Sequence, residues 1–223
     1  MSMKILVIGK PLHLEECRQK LGDHKYTHLN AHKDAENILT AHDVIFDFVI
    51  DDAPGSFAIY SGKAVTTFLN TCNISLTHLA NTVNDPLQCT AFGFNGLPTL
   101  FNREFLEVSL LKSADAPFLK KICQELNTAY LLVDDRVGLV TPRVICMIIN
   151  EAYFTVQEGT ATREDIDIAM KLGTNYPYGP FEWCERIGLR HVYKLLEAVY
   201  GDTKDERYKI SALMKKEYLN LSV

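Results

Sequence analysis

Residues 138–183 read GLVTPRVICMIINEAYFTVQEGTATREDIDIAMKLGTNYPYGPFEW, and their spacing decides the architecture of the second half of the chain. Pro142 suits a first helical position, where its missing N–H is one that a helix leaves unpaired anyway, and Thr141 is the candidate N-cap. Val144, Ile145, Ile148, Ile149, Ala152 and Val156 then recur with helical period. Gly159 can close that helix in the left-handed conformation. Thr162, with Asp165 after it, reads as a capping box that opens a short helix ending at Gly173. The turn NYPYGP follows, and Pro180 starts a third helix. The spacing therefore predicts an all-helical domain over 138–223.

Upstream the pattern changes to short apolar runs separated by helical segments. Strands are expected at Lys4–Ile8, Tyr26–Leu29, within HDVIFDFVIDD (42–52), at Thr71–Ile74, within CTAFGFNG (89–96), at 105–111 and at Ala129–Val133. Helical segments are expected at Leu12–Leu21, His32–Thr40, Ala58–Leu69, Thr77–Thr82 and Pro117–Leu126. This alternation argues a mostly parallel sheet with helices on its faces. It ends near residue 135, and DDRVG links it to the helices. The expected class is α/β: a truncated, Rossmann-like, mostly parallel sheet over 1–135, followed by the helical domain.

Composition excludes several functions. The chain has 223 residues, 47% hydrophobic and 23% charged, with a formal net charge of −5, so a nucleic-acid or anionic-membrane surface is not expected. The apolar run ending at Gly9 is too short for a secretory signal, and no segment reaches the roughly 18 apolar residues of a membrane helix. Six cysteines without CxxC spacing and seven histidines without HExxH or a His–Cys cluster point to free thiols in a reducing cytoplasm and to no metal site.

The wording of the helical stretch goes further than its period. Arg143, Asn150, Glu151 and Ala152, then Asp165, Ile166, Asp167 and Gly173, then Tyr176, Pro177, Gly179 and Pro180 fall in the order of the C-terminal domain of the L-3-hydroxyacyl-CoA dehydrogenase family. The chain resembles that family. NTCNISLTHLA (70–80) is similar to the family's NTSSLSITDLA, and AFGFNGLP (91–98) falls where the family has HFFNPVP. The stretch between the second and third strands is shorter than usual, where the family carries a helical insertion.

The resemblance implies NAD-dependent hydride transfer from a 3-hydroxyacyl-CoA thioester, with a homodimer formed through the helical domain. It also shows where the chain departs from the pattern. Of the glycine-rich cradle for NAD after the first strand, Gly9 is present, but Pro11 and Leu14 replace the other glycines. Pro11 offers no amide, Asn30 stands where an acidic residue would hold the ribose, and Gly9, Lys10 and Asp47 remain as cofactor-binding candidates. Phe92 stands at the catalytic histidine, Cys72 at a serine, and Pro142 at an asparagine, while Asn95 is retained. The orienting carboxylate falls on Glu107, or on Glu104 with the local insertion placed elsewhere; lacking its histidine, either reads as a surface group. His78 and His191 are weak substitutes for the base. Cys72, Asn95 and Glu107 are thus the candidates at the catalytic positions. The expectation is a family member with weak or lost NAD binding and little or no dehydrogenase activity. The alternatives are a silent acyl-CoA-binding protein or a subunit that pairs through its helices.

Overall fold

In the computed structural model, which describes residues 2–84 and 86–221, the apolar run Lys4–Ile8 forms β1 and leads through a tight turn into α1, Pro11–Leu21. There follow β2 (Lys25–Leu29), β3 (Val44–Asp47), α2 (Ala58–Ser61), β4 (Thr66–Asn70), α3 (Leu76–Ala80), β5 (Thr90–Phe94), β6 (Phe105–Leu110), α4 (Ala116–Glu125) and β7 (Ala129–Leu132). The strands lie in the order β2-β1-β3-β4-β5-β6-β7, and every neighbouring pair is parallel except β5 with β6. β1 sits where the order reverses, and such a reversal opens a crevice at the carboxyl ends of the strands.

Both faces of the sheet are apolar, as parallel sheets require. One face gathers Val7, Phe46, Phe48, Phe68, Phe92 and Phe94 with Cys17 of α1 and Leu119 of α4. The other gathers Ile8, Ile45, Leu69 and Ala91 with Tyr60 of α2 and Leu76 of α3.

The chain divides into two compact units, Met1–Leu139 and Val140–Val223. The second unit contains α5 (Thr141–Gln157), α6 (Arg163–Thr174), α7 (Pro180–Ile187), α8 (Leu189–Thr203) and α9 (Ala212–Asn220), with α5 packed against α7, α8 and α9. Residues 134–139 are tied to the first unit: Asp135 accepts from the amides of Leu76 and Thr77, and the Gly138 amide donates to the Cys72 carbonyl.

Several elements differ from the sequence reading, each for a local reason. The helix expected over Ala58–Leu69 stops at Ser61, because Thr66–Asn70 is drawn into the sheet as β4, between β3 and β5. Its β-branched Thr66 and Thr67 favour that state. Thr71–Ile74, expected as a strand, is the loop that follows β4. His32–Thr40 forms only single 3-10 turns at His32–Asp34 and Leu39–Ala41, with too few buried apolar residues to hold a longer helix. β3 ends at Asp47, whose carboxylate accepts from the Val49 amide and turns the chain.

In the helical unit the N-cap of α5 is Val140 rather than Thr141, and α6 runs to Thr174, where Asn175 (φ 56°) takes the left-handed conformation. The third expected helix is two, α7 and α8, broken at Gly188 (φ 94°), so His191 belongs to α8. Thr162 caps α6 through the Asp165 amide as expected, although its hydroxyl also donates to the Asp165 carboxylate.

Candidate functional site

The turn after β1 lies at the reversal of strand order. Gly9 adopts φ 153°, a conformation that only glycine takes comfortably. Its vacant Cβ position lies 2.3 Å from Nδ1 of His13, so the imidazole has come down onto the backbone. His13 is 5% exposed. Its ring stacks on Phe48 at 4.4 Å, and its Nδ1 accepts from the Lys10 amide at 3.1 Å. Nε2 of His28 lies 2.7 Å from the Gly9 carbonyl on the β2 side. Pro11 is the first residue of α1, and Leu14 packs against the core. A pyrophosphate needs free amides and open space at this turn; His13 takes both, and the residues present do not fit a dinucleotide. Sequence reasoning missed His13. Its position inside the glycine fingerprint was the available signal.

Asp47 is not a cofactor ligand in this arrangement. It is fully buried on the opposite face from Phe48, where Oδ2 meets His32 Nε2 at 2.6 Å and the Tyr60 hydroxyl at 2.8 Å. Burial first, then this carboxylate, pushes the Tyr60 phenol far above its usual range. The group fastens the shortened 30–43 connection to the sheet. Asn30 is exposed.

The candidates at the catalytic positions lie at the ends of β4, β5 and β6. The Cys72 thiol donates to Asn95 Oδ1 at 3.5 Å, and the same oxygen accepts from the Leu97 amide at 3.3 Å. The Asn95 amide donates to the Glu107 carbonyl, placing Glu107 across from Asn95. Glu107 is 6% exposed, so the expectation of a surface carboxylate is overturned for it, while Glu104 is exposed. The antiparallel turn from β5 to β6 brings Glu107 inward beside Ser109, on the face opposite Leu106 and Val108.

Around these groups is a clamp that sequence reasoning did not find. Asn70 donates through Nδ2 to the Phe48 carbonyl and Asp51 Oδ2, and accepts from the Gly96 amide at 3.1 Å. A Cβ on Gly96 would lie 2.9 Å from Asn70 Cγ. Asn73 donates to the same Asp51 oxygen at 2.8 Å. The buried hydroxyls of Thr71 and Ser109 converge on Gly93 and have no hydrogen-bond partner among the described residues, nor has Asn73 Oδ1.

Phe92 does not join this group. It pairs across the sheet with Phe68 and Leu110, stacks near Phe68 at 5.1 Å and Phe118 at 6.3 Å, and belongs to the apolar face covered by α1 and α4. Asn95 follows Gly93 in alternation and faces the other way. His78 is exposed on α3, and His191 is half-buried in α8. The arrangement can hydrogen-bond a carbonyl; among its described residues it has no imidazole to accept a proton.

In the helical unit, Pro142 sits in the first turn of α5. Asn150 ties two segments, accepting from the Ser211 amide and donating to the Lys209 carbonyl. Arg143 donates to the Tyr208 hydroxyl. Asp167 caps α7 through the amides of Phe181 and Glu182, and Gly179 is required because a Cβ there would lie 2.3 Å from the Asp167 carboxyl carbon. A cavity of about 350 Å³ is lined by residues including Tyr153, Arg163, Phe181 and Cys184. Arg163 lies over both rings and pairs with Glu217. Burial raises the Cys184 thiol to about 11.

Residues 138–220 match the model of the 3-hydroxyacyl-CoA dehydrogenase C-terminal domain. A probable 3-hydroxybutyryl-CoA dehydrogenase of Bacillus subtilis is 30% identical over 148 residues, covering 66% of this chain and 52% of that protein. The chain belongs to the 3-hydroxyacyl-CoA dehydrogenase family. The 3-hydroxyadipyl-CoA dehydrogenase of Escherichia coli is 38% identical over 96 residues, 43% of this chain and 20% of that protein. Matches to curated family members thus span about half of their length or less. The (S)-3-hydroxybutyryl-CoA dehydrogenase structure from Ralstonia eutropha superposes with a TM-score of 0.72 at 18% identity, covering 99% of this chain and 94% of that one, a likeness of fold. The family motif residues Asn150, Asp167 and Gly179 all have structural partners within the helical unit here, so their retention is explained by folding alone.

Proposed function

We propose that this chain is a catalytically silent member of the 3-hydroxyacyl-CoA dehydrogenase family, which has given up NAD-dependent turnover while keeping the fold. The observation that carries this reading is the placement of Phe92, which fills the family's histidine position with an apolar ring buried on the face away from Asn95. Loss of a general base alone typically lowers rates by 10²–10⁴. The closed turn at Gly9 and His13 supports weak or absent NAD binding independently. The test is acetoacetyl-CoA-dependent NADH oxidation followed at 340 nm, beside an NADH fluorescence titration. Neither signal should rise above that of a protein-free control. Robust turnover or micromolar NADH affinity would overturn the proposal.

A second reading, an acyl-CoA thioester held without turnover, is favoured by the Cys72–Asn95 pair and the unpartnered buried groups beside it. Calorimetry with acetoacetyl-CoA in the absence of NADH tests it, and Asn95→Ala should lower any affinity found.

Pairing of two copies through the helical unit accompanies either reading. α6 has no fully buried residue, and Leu172 (83% exposed), Ile168 (52%) and Val144 (51%) present apolar side chains. Such surface calls for cover. Light scattering should report a dimer that Leu172→Glu weakens; a monomer at high micromolar concentration refutes the pairing. The six cysteines are free, and among the described residues no helix is long and apolar enough to cross a membrane. Both facts accord with the proposed cytoplasmic location.

A further inference from the structure

We propose that His13 is an internal ligand of the β1–α1 turn, a side chain held where this fold would otherwise take a planar heteroaromatic ring carrying an acceptor nitrogen. Three contacts support this. The imidazole stacks on Phe48 with its plane tilted by 14° and the centroids 4.4 Å apart. Its Nδ1 takes the hydrogen bond of the Lys10 amide, at the entry to the 11-residue helix α1. It also presses on Gly9 so closely that a Cβ there would sit 2.3 Å from Nδ1 and 3.1 Å from Phe48 Cβ. A stacking face, a directed N–H donor and a glycine that admits close approach are what a small aromatic ligand needs. The crevice at the strand reversal has therefore kept its shape and is filled from within.

The structural consequence differs from that of Pro11 and Leu14. Those residues remove features of a cradle, whereas His13 occupies space, so deleting its ring should uncover a cavity with a matching donor and stacking surface. The inference goes beyond the silent-enzyme reading and does not depend on it. Dehydrogenase activity in the wild type would overturn that reading, while the measurement below reports on His13 alone.

The experiment is thermal denaturation of wild type, His13→Ala and His13→Phe during titration with free imidazole. In buffer, His13→Ala should melt several degrees below wild type. Imidazole should then raise its Tm saturably, as expected for a ligand that binds the folded state only. Wild type, whose crevice is filled, should show no such rise. His13→Phe, which retains a ring against Phe48, should be equally unresponsive. If His13→Ala does not fold, His13→Gln takes its place, since glutamine at the third helical position can still accept from the capping residue's amide and leaves the stacking face bare. The proposal is overturned if the ring-deleted variant gains no more from imidazole than wild type does, or if His13→Phe responds as strongly as the ring-deleted variant.

Discussion

Phe92→His installs the residue type that the family's catalytic position carries, and the structure argues that it will damage the protein without restoring turnover. Phe92 is fully buried between Phe68 and Phe118, and its cross-strand partner is Leu110. An imidazole on this face meets aromatic and aliphatic carbon and no polar partner among the side chains named in its cluster. Leaving its polar atoms unsatisfied costs about 1–3 kcal/mol. The smaller ring also forfeits part of the packing that makes Phe→Ala cost about 3–5 kcal/mol in cores. A total near 2–4 kcal/mol lowers Tm by about 5–15 °C for a chain of this size.

The same substitution should add a pH dependence. Desolvation disfavours the charged imidazole, so its folded pKa falls below the unfolded value of about 6.5. The unfolded state then binds a proton that the folded state refuses, and the variant loses further stability as pH falls through that range. Urea denaturation at pH 8 and pH 5.5, with wild type alongside, measures both effects, and the 340 nm assay reads activity. Wild-type stability in Phe92→His, or acetoacetyl-CoA-dependent NADH oxidation by it, would refute this placement of Phe92.

Asn70→Ala should destabilise by about 2–4 kcal/mol, because it strands the Gly96 amide, the Phe48 carbonyl and a contact to Asp51 in a buried setting; a loss below about 0.5 kcal/mol in chemical denaturation would show that the clamp is dispensable. Glu16 has a pKa raised by burial, against the lowering effect of the Thr99 amide bond, and its Oε2 is buried without a partner. A carboxyl with a raised folded pKa contributes stability that is full below its unfolded value, about 4.3, and is lost as pH rises through the folded one. Glu16→Gln should therefore gain on wild type between pH 4 and pH 7, by about 1 kcal/mol; urea titrations in which the difference is flat or reversed would exclude this.

Several features were legible in the sequence because they depend on local spacing. Helical period, Thr162 with Asp165, Gly159 and Pro180 mark α5, α6 and the start of α7, since caps and turns are settled within a few residues. The apolar runs likewise located β1, β6 and β7. What the sequence could not settle depends on partners distant along the chain. Thr66–Asn70 became a strand because β3 and β5 flank it, and Glu107 is buried because the antiparallel β5–β6 pairing turns it toward Asn95. Asp47 looked like a ligand and is a buried post for His32 and Tyr60. The substitutions at Pro11, Leu14 and Phe92 could be read from residue types alone. That His13 folds back onto Gly9 and Phe48, and that Phe92 faces away from Asn95, was decided by the packing of side chains on opposite faces of one sheet, which local spacing does not specify.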